Sequence, residues 1–128
     1  CFDDDAANIS KNKIKLKPDV CFIDGEHTDK AVISDFNFCK SVLNKDGAIV
    51  FHDADILCKS LSFIIQDLRK KKIAFKTYRL SQCIRVIGFG NCRIHQDRQI
   101  KRIVFNSNWV YDNLKKFNPI KWIPGLGI

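Results

Sequence analysis

Two aspartates stand at the ends of two short apolar runs, and each has a histidine close by in the sequence. Asp24 is followed three residues later by His27, and Asp53 is directly preceded by His52. Carboxylates are ligands for divalent cations, and a neutral imidazole can accept a proton near pH 7. Metal binding and acid–base catalysis are therefore the chemistry that these four residues offer if the fold brings them together.

The elements that would position these residues are predicted from hydrophobic periodicity. Residues 20–23 and 48–51 are continuous apolar runs, which are typical of strands buried on both faces of a parallel sheet. A helical stripe lies between them, with Thr28 or Asp29 as its N-cap and Gly47 as a left-handed cap after its end. The apolar positions of this stripe are Val32, Phe36, Cys39 and Leu43.

A second helix and a pair of strands follow. The second helical stripe consists of Leu57, Leu61, Ile64 and Leu68. Residues 75–80 and 83–89 have strand patterns and a very short link, which predicts an antiparallel hairpin. The order of elements predicts an α/β fold with parallel strands and a C-terminal antiparallel hairpin. We predict one α/β domain over residues 1–128, with its core at 18–90 and an irregular tail at 91–128.

Ligands of open α/β sheets bind at the carboxyl ends of the strands. If the two strands are neighbours, their ends lie about 4.8 Å apart, or about twice that with one strand between them, and either spacing lets Asp24 and Asp53 approach one cation. His27 lies in the loop over the same edge, whereas His52 is expected to point to the opposite side if the strand continues. Structural explanations also stay open: Asp24 before Gly25 suits a turn, Asp53 a helix cap, and His27 a solvated loop.

Composition excludes several classes of protein. The 128 residues are 45% hydrophobic and 28% charged, which excludes a disordered or low-complexity chain. No apolar run approaches the ~20 residues that cross a bilayer, so we expect no membrane partner. None of the six cysteines has CxxC spacing, so we expect reduced thiols in a cytoplasmic protein. The chain begins with Cys1 and contains no Met, so we expect it to be part of a longer protein.

Residues 18–55 resemble the second half of a class I S-adenosylmethionine-dependent methyltransferase. This stretch reads PDVCFIDGEHTDKAVISDFNFCKSVLNKDGAIVFHDAD. It has Asp-Gly-x-His after one strand and His-Asp after the next, as in a group of methyltransferases assigned mostly to O-methylation of small molecules, sugars or antibiotics. The resemblance covers residues 18 to about 90. It implies a Rossmann-like half-sheet in which this chain supplies strands four to seven.

The resemblance also implies roles for individual residues. The acids that end the fourth and fifth strands bind Mg²⁺ in metal-dependent members, and Asp24 and Asp53 match these positions. The histidine of the Asp-Gly-x-His loop is placed to remove the proton of a substrate hydroxyl, and His27 matches it. Asp24 and Gly25 lie where this fold approaches S-adenosylmethionine. Ala54 stands where related metal enzymes often have a further ligand, and the family's glycine-rich cofactor loop is not in the sequence.

Two other functions remain open. Asp53-Ala54-Asp55 is a DxD pattern, which would suit a fragment of a nucleotide-sugar glycosyltransferase. The net charge of +8 would suit a basic non-enzymatic module, including one that binds nucleic acid, although the basic run at residues 69–72 is most simply a solvated helix end. We expect a small-molecule substrate rather than a nucleic acid. As a protein partner we expect either a homo-oligomer or the missing N-terminal half.

Overall fold

The computed structural model describes residues 8–81 and 83–103, which form one four-stranded sheet with two α-helices beside it. The elements are β1 (Val20–Ile23), α1 (Asp29–Val42), β2 (Ala48–Phe51), α2 (Cys58–Lys70), β3 (Phe75–Arg79) and β4 (Arg85–Phe89). Short 3-10 helices lie at Lys11–Lys13 and Ile94–Gln96, and residues 98–103 are helical. Part of the predicted irregular tail is thus helical, and its residues 104–128 lie outside the described residues. No helix in the described ranges is both long and apolar enough to cross a membrane.

The strands follow the order β1-β2-β4-β3. β1 and β2 are parallel, with Val20 opposite Ala48 and Ile23 opposite Phe51. β4 is antiparallel to both β2 and β3, so β3 runs in the same direction as β2. The predicted β–α–β unit and the closing hairpin are both confirmed. The position of β4 between β2 and β3 had no signal in the sequence pattern.

Each face of the sheet carries its own apolar cluster. The first face packs against α1 and α2, and its most buried strand residues are Ile49, Phe51, Ile87 and Phe89. The predicted helical stripes supply most of the facing side chains: Val32, Phe36, Leu43, Leu57, Leu61, Ile64 and Leu68. The second face carries a smaller cluster of Ala48, Tyr78, Val86 and Cys92, against which Val50, Leu80 and Ile94 pack. The chain after β4 therefore covers part of the second face.

β1 differs from its prediction on this second face. Val20 and Phe22 lie opposite Ala48 and Val50 in register, so they share the second face with these residues. Their exposed fractions are 53% and 58% within the described part of the chain. Burial on both faces, which the continuous apolar run predicts, is thus found for β2 but not for β1.

Position 47 needs a glycine because a side chain there would collide with its neighbours, and not because the backbone is left-handed. α1 ends at Val42 with Leu43 as an extended C-cap, and Gly47 is not among the residues with positive φ. A Cβ at Gly47 would lie 2.7 Å from the carbonyl oxygen of Asp19 and 2.8 Å from Cγ of Leu43. The prediction of a left-handed cap at Gly47 was therefore wrong. Close approach of the β2 entry to the β1 entry explains the glycine instead.

We expect Gly47→Ala to lower the free energy of unfolding by about 1–3 kcal/mol, because an added methyl group would overpack a buried site. The matched control is Gly25→Ala, whose Cβ would meet only Oδ2 of Asp35 at an ordinary 3.5 Å. The control should change stability by less than about 0.5 kcal/mol. Urea unfolding followed by circular dichroism measures both values. A Gly47→Ala protein as stable as its parent would contradict the close-approach explanation.

Five cysteines lie within the described residues and are in the thiol form: Cys21, Cys39, Cys58, Cys83 and Cys92. Cys21 on β1 and Cys39 on α1 are both partly buried against the first cluster. Burial raises the pKa of the Cys39 thiol to about 12 and also raises the pKa of Cys21. Both thiols therefore stay protonated near neutral pH, as apolar packing groups do.

Candidate active site

The parallel pairing of β1 and β2 brings their carboxyl ends side by side. Ile23 and Phe51 are the last paired residues, and the backbone N–H of His52 donates to the carbonyl oxygen of Ile23 at 3.0 Å. Asp24 leaves β1 at the level at which His52 leaves β2. The two strands are therefore neighbours, which is the closer of the two arrangements that the sequence left open.

Four side chains form a continuous row along this edge. Nδ1 of His52 lies 3.2 Å from Oδ1 of Asp24 and 3.1 Å from Oδ2 of Asp53. The same Oδ2 of Asp53 lies 3.2 Å from Nε2 of His27. One ligand atom from each of Asp24, His52 and Asp53 can be chosen so that all three lie within 4.8 Å of one another. The two predicted metal-binding acids and the predicted base thus share one site.

The sequence had suggested that His52 points away from this site, but its side chain lies beside Asp24 and Asp53. Alternation along β2 places His52 on the face of Val50, and in-register pairing places Phe22 on that same face. The rings of His52 and Phe22 are 6.3 Å apart. The expectation assumed that the strand continued through Asp53, but Asp53 has a φ of +48° and leaves the strand there. Its carboxylate consequently lies on the side of His52.

A tight turn fixes Asp53 in this conformation. Its carbonyl oxygen accepts hydrogen bonds from the backbone N–H groups of Ile56 at 3.0 Å and Leu57 at 3.2 Å. The next residue, Ala54, donates its N–H to the carbonyl oxygen of Cys83 in the β3–β4 connection at 2.8 Å. Aspartate tolerates the left-handed region better than most residues. The loop after β2 is therefore held by backbone contacts that do not involve the carboxylate of Asp53.

His27 is held at the start of α1. Thr28 is the N-cap and accepts a hydrogen bond from the N–H of Ala31, which confirms one of the two predicted caps. The next residue, Asp29, accepts a hydrogen bond from the buried hydroxyl of Ser60 at 2.6 Å and pairs with Lys59 at 2.6 Å. These partners on α2 hold the pKa of the Asp29 carboxyl below its usual range. The loop that carries His27 is thereby tied to the helix that follows Asp53.

The donor set fits a divalent cation. Nδ1 of His52 is buried, and within the described part of the chain it has no hydrogen-bond partner of acceptable geometry, although two carboxylate oxygens lie within 3.2 Å. A neutral imidazole offers a lone pair at such a nitrogen, and carboxylates offer two more donors. The carboxylates of Asp24 and Asp53 remain partly open to solvent. The three side chains could therefore hold a cation and leave positions for a ligand.

Other candidates from the sequence do not belong to the possible cation site of Asp24, His52 and Asp53. Gly25 is exposed in the loop between Asp24 and His27, so its predicted approach to a cofactor stays a prediction. Asp55 of the DxD pattern does not join the group. His52 was missed as a ligand, although the register of β1 with β2 would have placed it beside Asp24 if the pairing had been known. Ala54 offers no ligand atom, and His52 supplies a donor next to Asp53 instead.

One family model matches the N-terminal part of the chain. Residues 2–54 match the model of a family described as a methyltransferase domain. The matched segment contains β1, α1 and β2 together with His27 and His52. The match supports a methyltransferase, and the mixed sheet is compatible with part of a Rossmann-like methyltransferase fold. No curated protein matches the chain in sequence.

We expect Ser60→Ala to lower the free energy of unfolding by about 1 kcal/mol, because it removes the buried hydroxyl that donates a hydrogen bond to Asp29. The lowered pKa of Asp29 stabilises the fold above its unfolded pKa, and this contribution is lost as the pH falls. The difference between Ser60→Ala and its parent should thus shrink towards acidic pH.

Ser62→Ala on the same helix is the matched control and should leave the stability within about 0.5 kcal/mol of the parent. Thermal unfolding at neutral and acidic pH provides the measurement. A Ser60→Ala effect that grows as the pH falls would show that the Asp29 pairing has been misassigned.

Proposed function

We propose that the chain is the C-terminal half of an S-adenosylmethionine-dependent methyltransferase that acts on a hydroxyl group of a small molecule or a sugar. The observation that carries this proposal is the row of Asp24, His52, Asp53 and His27 at the ends of two adjacent parallel strands. This row lies within the segment that matches the methyltransferase family. An acceptor hydroxyl needs a base and charge stabilisation, and the row offers groups for both.

His27 is proposed as the general base. Oδ2 of Asp53 lies beside Nε2, so a proton on Nε2 is stabilised there and the lone pair is left on Nδ1. Nδ1 can then accept the proton of the acceptor hydroxyl, and the negative charge of Asp53 stabilises the imidazolium that results. Bound S-adenosylmethionine would supply an electrophilic methyl group on a cationic sulfur.

Asp24, His52 and Asp53 are proposed as the ligands of a divalent cation. A cation bound there would stabilise the negative charge that develops on an acceptor oxygen. Mg²⁺, the ion implied by the resemblance, prefers oxygen donors, whereas imidazole nitrogen suits transition metals better. With a nitrogen of His52 in the donor set, we propose Mn²⁺ or a similar ion as a better fit than Mg²⁺.

Asp24 and Gly25 are proposed to contact the cofactor from the loop after β1. The glycine-rich loop expected of the family is not in the sequence, so we propose that residues preceding this chain in a longer protein supply it. Within the described residues β1 pairs only with β2, which leaves its other edge available to a further strand. The sequence upstream of Cys1 should then encode a strand followed by Gly-x-Gly and, after the next strand, an acidic residue.

We expect Asp24→Asn, Asp53→Asn and His52→Gln each to weaken Mn²⁺ binding by at least tenfold, because each removes one of only three protein donors. Asn is chosen at Asp53 because it also tolerates a positive φ. Asp55→Asn is the matched control and should bind Mn²⁺ like the parent. Calorimetric titration of the chain with Mn²⁺ and with Mg²⁺ measures the affinities. Loss of binding in Asp55→Asn alone would favour the DxD glycosyltransferase instead.

We expect His27→Ala to lower kcat by about 10²–10⁴-fold, the usual contribution of a general base, and to leave the affinity for S-adenosylmethionine unchanged. The assay follows methyl transfer to a panel of sugars and phenols, using the chain extended by its natural upstream sequence. Glu26→Gln, the exposed neighbour, is the control and should keep its turnover. An extended protein that binds no S-adenosylmethionine, or a His27→Ala protein with full turnover, would overturn the assignment.

A further inference from the structure

Exposed basic side chains gather at the edge of the sheet opposite to the candidate site. β2 and β3 begin at this edge and β4 ends there, because β4 is antiparallel to both. The basic edge consists of Lys45 before β2, Lys70 and Lys72 at the end of α2, Lys76 near the start of β3 and Arg93 after β4, and all five are exposed. Solvation and the helix dipole would explain the helix end alone, but three of the five cations come from other segments.

Backbone hydrogen bonds hold the segments of the basic edge against one another. The carbonyl oxygen of Gly47, at the entry to β2, accepts the N–H of Phe89 at 2.9 Å. The carbonyl oxygen of Ala74, at the entry to β3, accepts the N–H of Gly90 at 3.4 Å. Neighbouring strands lie about 4.8 Å apart, so the ends of β2, β4 and β3 place their cations along a row about 10 Å long.

The positive charge of the basic edge is only partly compensated. Within the described part of the chain its five members form no ion pair, whereas the neighbouring Lys71 pairs with Asp67 at 2.7 Å. Two further acids lie near this edge: Asp46 accepts the backbone N–H of Asn91 at 2.8 Å, and Asp19 precedes β1. The edge of the candidate site carries acids instead, so the two ends of the sheet differ in charge. A basic composition alone does not predict this separation.

A nucleic-acid duplex fits this edge better than a membrane or a single strand. Membrane binding needs exposed apolar area as well as charge, and no large apolar residue of segments 44–47, 69–76 and 90–94 is exposed. Single strands stack on exposed aromatic rings, whereas Phe75, Tyr78 and Phe89 beside the basic edge pack into the two apolar clusters. A duplex needs only cations within reach of its phosphates, which occur about every 1.7 Å along its axis.

We propose that the basic edge binds the phosphate backbone of a nucleic-acid duplex irrespective of its sequence. The duplex is a partner and not the methyl acceptor, because the basic edge and the candidate site lie at opposite ends of β2. The four residues of this strand separate the two by about 10 Å. The inference does not depend on the chemistry proposed for the candidate site.

Fluorescence anisotropy of a labelled duplex, titrated with the whole chain at several salt concentrations, measures the affinity. We expect the affinity to fall steeply with salt, because each phosphate contact releases a condensed counterion. Lys45→Glu, Lys70→Glu and Lys76→Glu should each weaken binding by at least about threefold and reduce the salt slope by about one. DNA and RNA duplexes should give the same order of variants, since the contacts are to phosphates. Circular dichroism verifies that these exposed substitutions leave the fold intact.

Lys30→Glu is the matched control, because it makes the same change in net charge at an exposed position in the first turn of α1, beside the candidate site. It should weaken duplex binding by less than about twofold, since charges beyond a Debye length are screened. Equal weakening by Lys30→Glu would assign the binding to net charge and not to the basic edge. Vesicles of phosphatidylcholine and phosphatidylserine are the second probe and should bind more weakly than the duplex at equal salt. Tighter binding to the vesicles, or no binding to the duplex at low salt, would overturn the proposal.

Discussion

The register of β1 with β2 is the constraint on which the candidate site depends. Side chains alternate between faces along a strand, so a shift of one residue would turn Phe22 and Asp24 to the helix face. The observed register places Ile23 opposite Phe51 and extends by one bond from His52 to Ile23. Both Ile23 and Phe51 are buried in the first cluster, which penalises any slip. The same apolar contacts that stabilise the sheet therefore fix where the polar side chains meet.

The site gathers like charges, and this has a cost that a bound group would offset. Two carboxylates and the lone pair of an imidazole lie within 4.8 Å of one another, and unpaired negative charges at such distances repel. The described backbone of the turn after β2 does not relieve this repulsion, because the turn uses the carbonyl of Asp53 and not its carboxylate. The main chain holds Asp53 at a φ of +48° all the same. A cation bound among these side chains would offset the repulsion.

Local patterns predicted the elements well because each pattern is a property of neighbouring residues. The two helical stripes became α1 and α2, and the apolar runs became β1 and β2, since periodicity alone decides which side of an element is buried. The place of β4 in the sheet was not predictable in this way, because it depends on packing between strands far apart in sequence. Gly47 shows the same limit: its need for space comes from Asp19, twenty-eight residues earlier and on another element. The candidate site was predicted as far as Asp24, Asp53 and His27, and His52 was missed because its direction depends on where β2 ends.

β1 and β2 have the same apolar pattern but differ in how much of their second face is buried. Both runs are apolar at successive positions, a pattern that evolves where both faces of a strand are covered. β2 meets this description because α1 and α2 cover one face and the chain around Cys92 covers the other. Within the described residues β1 is covered by the helices on one face only, yet Val20 and Phe22 have the residue types of a buried strand. The apolar run of β1 therefore predicted a burial on the second face that the described residues do not provide, because burial there depends on packing partners and not on the strand's own residues.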